Sequence, residues 1–303
     1  MLMKKSPKIL IRLDETRAHS QLHNLCVLAL TISSMRLATR AWCVSSASAL
    51  YAGTRVRPQL SRAMASWVDA AEADAVKANV QAVRDRVARV DKDATLIAVS
   101  KLKPLSHVKA AYDAGQRDFG ENYVQELAEK AEATKDVEGL RWHFIGSLQS
   151  NKVKQLCAAP QLVCVHTVER AKIANALDRV WGELGHSTPL DVFVQVNTSG
   201  EDSKGGCVPA EAPALALAIS EKAHLRLKGL MCIGKYSGAE GDASPDFNVL
   251  QECRDASAST LGVPVDSLAL SMGMSHDFEQ ALSCGATHVR VGSTIFGARP
   301  PKA

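Results

Sequence analysis

The chain has 303 residues, of which 46% are apolar and 22% charged, with a formal net charge of +4. That apolar content excludes a disordered or fibrous chain, and a small positive excess with no concentrated basic patch in the body argues against nucleic acid as a partner. No apolar run approaches the roughly 20 residues of a membrane span, which argues against a membrane protein.

The first 66 residues differ in character from the rest. Arg12, Arg17, Arg36, Arg40, Arg55, Arg57 and Arg62 stand among Ser, Thr and Ala, with Asp14 and Glu15 the only acids. Arg-rich, Ser-rich and acid-poor is the composition of a transit peptide for a mitochondrion or plastid. The alternative is a translated leader with the true start at Met64, which would leave the protein in the cytoplasm. Either way residues 1–66 are set apart from the fold, and residues 67–303 are expected to form one domain.

From Trp67 the chain alternates. Val76, Val80, Val83, Val87 and Val90 recur at steps of four and three, one apolar stripe on a helix that must pack against something. Strand-like runs follow at 95–100, 118–121, 141–145, 162–166, 191–196, 225–232, 267–271 and 288–291. Helical patterns lie between them, the clearest carrying Ile173, Leu177, Val180, Trp181 and Leu184. Eight β-runs alternating with helices predict a single (β/α)8 TIM-type barrel with an extra N-terminal helix over its open end or side. A doubly wound sheet fits less well, since no G-x-G-x-x-G follows the first strand.

Chemistry is expected at the strand ends. The first run ends Ile97-Ala98-Val99-Ser100-Lys101, and Pro104 cuts it off. A lysine at the carboxyl end of a buried strand faces low-dielectric walls, and a neutral amine there is a Schiff-base nucleophile. In barrels the loops after strands seven and eight commonly hold phosphate. Here they read Ser271-Met272-Gly273-Met274-Ser275 and Arg290-Val291-Gly292-Ser293-Thr294. Glycine admits close anion approach, and hydroxyls and N–H groups bind phosphate oxygens. By alternation Arg290 points opposite to Val289 and Val291, into the barrel. It is expected either to pair with Glu121 or Asp277, or to face the pyridine nitrogen of a pyridoxal phosphate (PLP) cofactor. Asn122 and Asn197 sit where they could hydrogen-bond a ring or its substituent. Thr198 and Ser199 are expected to cap the next helix. Neither His143 nor His166 is selected as catalytic, and neither the histidines nor the eight cysteines show metal-binding spacing. The scattered cysteines read as reduced thiols of an intracellular protein.

These pieces resemble the pyridoxal phosphate homeostasis protein family. The matching motifs are Ala98-Val99-Ser100-Lys101-Leu102-Lys103-Pro104, Phe119-Gly120-Glu121-Asn122-Tyr123, Trp142-His143-Phe144-Ile145-Gly146, Gln195-Val196-Asn197-Thr198-Ser199-Gly200, Ser271-Met272-Gly273-Met274-Ser275 and Arg290-Val291-Gly292-Ser293. They run in the family's order from about residue 70 to the end. The resemblance implies a barrel similar to the N-terminal domain of alanine racemase, with PLP as an internal aldimine on Lys101. It places Arg290 near the pyridine nitrogen and Ser275, Gly292 and Ser293 at the phosphate, with Asn122 and Met272 completing the cofactor-binding set. Leu102 and Ser293 stand where threonine is common in the family.

Proteins of this type are taken to buffer or deliver PLP and to balance amino- and keto-acid pools, with no robust catalytic activity. Expected partners are therefore PLP, amino acids and apo PLP-enzymes, for a monomer or weak dimer. The alternatives are a PLP-dependent amino-acid racemase and, more remotely, a PLP-free Schiff-base aldolase. Alanine racemase serves its second catalytic face with a tyrosine from another domain. This chain stops at Ala303 and offers only Tyr123 and Tyr236 near the site, so turnover is not expected.

Overall fold

The computed structural model describes residues 69–235 and 244–298, so the expected leader and Tyr236 lie outside the described residues. Eight parallel strands form a closed barrel in chain order. They are β1 (Thr95–Val99), β2 (Asp118–Glu121), β3 (Arg141–Phe144), β4 (Leu162–Val168), β5 (Leu190–Val196), β6 (Leu225–Cys232), β7 (Ala269–Ser271) and β8 (His288–Val291). Closure comes from β8 pairing with β1, which sets Ile97 opposite Arg290 and Ala98 opposite Val291.

Helices α1 (Ala70–Val90), α2 (Leu105–Asp113), α3 (Val124–Ala133), α4 (Val153–Cys157), α5 (Ala171–Glu183), α6 (Ala212–Ser220), α7 (Ser244–Leu261), α8 (Phe278–Ser283) and α9 (Ser293–Phe296) accompany the strands. The strands and helices share one apolar layer that includes Ala98, Phe119, Trp142, Val165, Val192, Leu230, Leu270, Val289 and Val291. The alternate strand residues face the barrel interior, where Cys164, Phe193 and Met231 form a separate small cluster.

The extra helix lies along the side of the barrel. It starts at Asp69, whose side chain accepts from the Ala71 N–H, and buries Val76, Val80, Val83 and Val87. Its neighbours are α2, α8 and α9, and the Asn79 side chain donates to the Ile295 carbonyl at 3.1 Å. Val90, the last of the valine stripe, is 43% exposed because α1 ends there and the chain turns away at Asp91.

Strand seven is shorter than its apolar pattern. Residues Val265–Ser267 form a 3-10 turn, and only Ala269–Ser271 pair. Strand four runs two residues beyond His166 to Val168, where Thr167 donates to the Gly146 carbonyl at 2.6 Å. Among the described residues, no helix is long and apolar enough to cross a membrane.

Candidate functional site

At the carboxyl ends of the strands a cavity of about 330 Å³ opens, lined by Lys101, Lys103, Asn122, Met274, Ser275, His276, Arg290, Gly292, Ser293 and apolar side chains. Six of the seven cofactor-site residues expected from sequence therefore meet in one place. Met272 is the exception. It is fully buried in the apolar layer between strands and helices, because alternation along the chain after β7 turns it outward, and Met274 lines the cavity instead.

Lys101 follows β1 in a turn closed by the Lys103 N–H on the Ser100 carbonyl at 3.1 Å. Lys103, in the loop before Pro104, reaches the same cavity, where its ammonium donates to the Ala298 carbonyl at 2.8 Å. Asn122 follows β2 directly, and its buried Oδ1 has no partner among the described residues. An amide oxygen left unsatisfied in a cavity wall is a ready acceptor for a ligand donor. The backbone of Asn122 is held by close approach of Gly146, where a Cβ would lie 1.9 Å from the Asn122 carbonyl oxygen.

The loops after β7 and β8 are stitched together. Gly292 N–H donates to Ser275 Oγ at 3.2 Å, and the Thr294 hydroxyl donates to the Ser275 carbonyl at 3.4 Å. Gly273 takes φ +89°, and a Cβ there would lie 2.5 Å from the Ala281 Cβ, so glycine is required to bring the loop back onto α8. Asp277 accepts the Met274 N–H at 2.6 Å and shapes this loop; it does not pair with Arg290.

Arg290 points inward as alternation predicts and is 5% exposed. Its partners are neutral: it donates to Ser271 Oγ and to the Cys232 carbonyl, each at 2.8 Å. Glu121, the other partner expected for it, is turned outward by the same alternation and bonds Ser100 and Lys130. Burial among these neutral groups lowers the Arg290 pKa from its usual value.

From Ser271 a chain of hydrogen bonds descends through the barrel. Ser271 Oγ lies 3.0 Å from His166 Nδ1, His166 Nε2 lies 3.0 Å from His143 Nδ1, and His143 Nε2 lies 3.0 Å from Asp118 Oδ1. The Asp118 carboxylate can only accept, which orients the link at that end, and Arg290 can only donate to Ser271 Oγ at the other. His143 therefore donates to Asp118 through Nε2. Burial, reinforced by His143, His288 and Arg290, holds the His166 pKa well below its ordinary value. At the bottom, Arg141 donates to both Asp118 oxygens at 2.6 Å.

Two histidines that sequence spacing did not single out are thus the supports of Arg290. The signal was their inward phase on β3 and β4, adjacent strands in the barrel. Cys164 lies beside them, and its Sγ and the two imidazoles offer ligand atoms within 4.8 Å of one another. All four imidazole nitrogens are engaged in the hydrogen-bond chain in this structure.

Burial pushes the Asp118 carboxyl upward, but the hydrogen bonds from His143 and Arg141 outweigh it and hold the pKa down to about 2. A carboxylate depressed on folding stabilises the protein above its unfolded pKa of about 3.9, and that contribution is lost as pH falls through the folded value. Wild-type stability should therefore drop by about 2 kcal/mol between pH 5 and pH 2 from this residue alone. Asp118→Asn should be less stable at pH 7 and lack this part of the acid slope. Chemical denaturation of both proteins across that pH range checks it.

Asn197 is not in the cavity wall. Its side chain donates to the Glu201 carbonyl at 3.1 Å and accepts from the Gly200 N–H at 3.1 Å, closing its own loop. No helix begins at Thr198 or Ser199, so neither is a helix cap; Ser199 donates to Asn197 Oδ1 at 3.4 Å. Tyr123 is 54% exposed at the start of α3. Among the described residues all six cysteines are free thiols, and burial raises Cys157, Cys207 and Cys232 to about 12, which makes them unreactive.

Comparison with known proteins adds to this geometry. Residues 72–300 match the family of the alanine racemase N-terminal domain. A pyridoxal phosphate homeostasis protein of Caenorhabditis elegans is 48% identical over 231 residues, covering 74% of this chain and 94% of its own. The mouse protein of the same name is 44% identical over 235 residues, covering 74% of this chain and 86% of its own. The solved structure of PipY from Synechococcus elongatus PCC7942 with PLP bound superimposes with a TM-score of 0.62 at 32% identity, over 73% of this chain and 100% of PipY.

Proposed function

As the chain belongs to the pyridoxal phosphate homeostasis protein family, we propose that it binds PLP at the barrel mouth through Lys101 and serves PLP homeostasis. One observation carries this reading: an amine, an inward guanidinium and a Gly/Ser cup of two stitched loops line a single cavity of about 330 Å³. The residues present fit the group. The orphaned Oδ1 of Asn122 calls for a donor such as a ring hydroxyl, and the hydroxyls of Ser275 and Ser293 suit a phosphate.

When bound, PLP supplies an aldehyde that condenses reversibly with an amine. Lys101 supplies that amine from the end of β1. Arg290 would present guanidinium N–H groups to the pyridine nitrogen, held in that direction by its hydrogen bonds to Ser271 Oγ and the Cys232 carbonyl. A ring nitrogen left unprotonated is a poor electron sink, which disfavours chemistry at a substrate α-carbon. Ser275, Gly292 and Ser293 hold the phosphate. This combination suits a carrier that exchanges PLP with amines and hands it to apo-enzymes. The Arg- and Ser-rich composition of residues 1–66 supports import into an organelle.

The purified protein should be yellow, and incubation with L-alanine, L-serine and other L-amino acids should yield no D-isomer or keto acid at an enzyme's rate. Turnover on the scale of seconds, abolished by Lys101→Ala, would overturn the carrier reading. A colourless protein that binds no PLP would overturn cofactor binding itself.

A further inference from the structure

The turn that carries Lys101 is gripped from behind by a buried ionic cluster that the site described above does not use. Ser100 is fully buried, and its hydroxyl donates to Glu121 Oε1 at 2.6 Å. The Lys130 ammonium, on α3, donates to the Ser100 carbonyl at 2.8 Å, to Glu121 Oε1 at 2.7 Å and to Glu126 Oε1 at 2.7 Å. That uses all three of its protons. Glu126 Oε1 in turn accepts the Leu102 N–H at 2.7 Å. The residues immediately before and after Lys101 are therefore tied to one ammonium and two carboxylates.

Two features show that this arrangement is costly. Leu102 sits at φ +59°, the left-handed region that strains a branched side chain. Glu121 is fully buried, its Oε2 has no partner among the described residues, and burial raises its pKa against the opposing pull of Lys130 and Ser100. Buried ions add little net stability over well-packed apolar side chains, so a cluster used only to join α3 to the barrel would be a poor solution. What the ions provide is direction: hydrogen bonds fix the backbone on both sides of Lys101, which a hydrophobic contact cannot do.

We propose that Glu121, Glu126 and Lys130 are positioning residues for Lys101, an ionic clamp that holds its turn so that the amine faces the cavity. The proposal rests on the reading that Lys101 bonds PLP. That condensation joins the lysine nitrogen to the aldehyde carbon as a C=N bond and releases one water, so its rate depends on where the amine is held. Non-covalent docking of ring and phosphate depends on Arg290, Asn122, Ser275 and Ser293; of these only Asn122 adjoins the clamp, as the residue after Glu121, which neither variant replaces.

The experiment compares Lys130→Met and Glu126→Ala with wild type in the full chain, freed of cofactor. One readout is the rate at which visible absorbance appears on mixing with PLP. The other is the affinity for pyridoxine 5′-phosphate, which has the same ring and phosphate but no aldehyde. Lys130→Met should slow the absorbance change by about tenfold or more, the scale of one lost charge-assisted hydrogen bond. Glu126→Ala, which frees the Leu102 N–H and one of the three Lys130 protons but leaves Lys130 on Ser100 and Glu121, should slow it less, and Glu126→Gln, which keeps an acceptor there, should restore it. Pyridoxine phosphate affinity should stay within about twofold in all of them, well under the effect of one hydrogen bond. Unchanged rates, or affinity falling in parallel with the rate, would overturn the clamp. Should Lys130→Met fail to fold, the Glu126 pair decides by the same criteria. Failure of wild type to bind either compound would instead overturn the PLP reading itself.

Discussion

Lys101→Ala is expected to abolish the visible absorbance of the PLP-loaded protein completely, while Lys103→Ala keeps it. The discrimination matters because both lysines line the same cavity. They differ in how they are held. Lys101 lies one residue past the end of β1, after the buried Ser100, whereas Lys103 lies beyond the left-handed Leu102 and donates to the Ala298 carbonyl. Where each amine is anchored decides which one can reach a carbon in the cavity. Borohydride reduction of the loaded wild type followed by peptide mapping should place the adduct on Lys101. An adduct on Lys103 in wild type would reverse the assignment.

Removing the hydroxyls of Ser275 and Ser293 together should weaken PLP binding by a few kcal/mol, at roughly 1.5–3 for each charge-assisted hydrogen bond. That amounts to on the order of 100-fold or more in affinity. The Ser275 substitution acts twice, since Ser275 Oγ also accepts the Gly292 N–H and so joins the two loops. Pyridoxal, which lacks the phosphate, should bind wild type far more weakly than PLP does, and the gap should shrink in the double variant. Equal discrimination by both proteins would put the phosphate elsewhere. Titration of the visible absorbance with each compound supplies the affinities.

Much of the architecture was legible along the chain. A parallel barrel buries every strand on both faces, so each appears as a short apolar run, and the runs at 118–121, 225–232 and 288–291 coincide with β2, β6 and β8. The inward direction of Arg290 follows from the two-residue period of a strand, and the positions of Lys101, Asn122, Ser275, Gly292 and Ser293 follow from the rule that barrel chemistry gathers at strand carboxyl ends. These features are local, set by a residue's phase within its own element.

The failures share a cause of the opposite kind. Glu121, at the end of β2, carries the right chemistry at the right height, but its phase turns it outward to Lys130. Met272 lies within the expected loop and is packed away from the cavity. Asn197 folds back on its own loop. His143 and His166 looked unremarkable because each needs the other, 23 residues away, together with Ser271 and Asp118, to satisfy its nitrogens. A buried polar group must find a partner wherever the fold supplies one, and that partner's distance along the chain is unconstrained. The sequence by itself determined the barrel and six of the seven cofactor-site residues that arrive at its mouth. Only the tertiary structure decided what each of them leans on, because closing β8 against β1 is what brings Arg290, Ser271 and the two histidines into a single line.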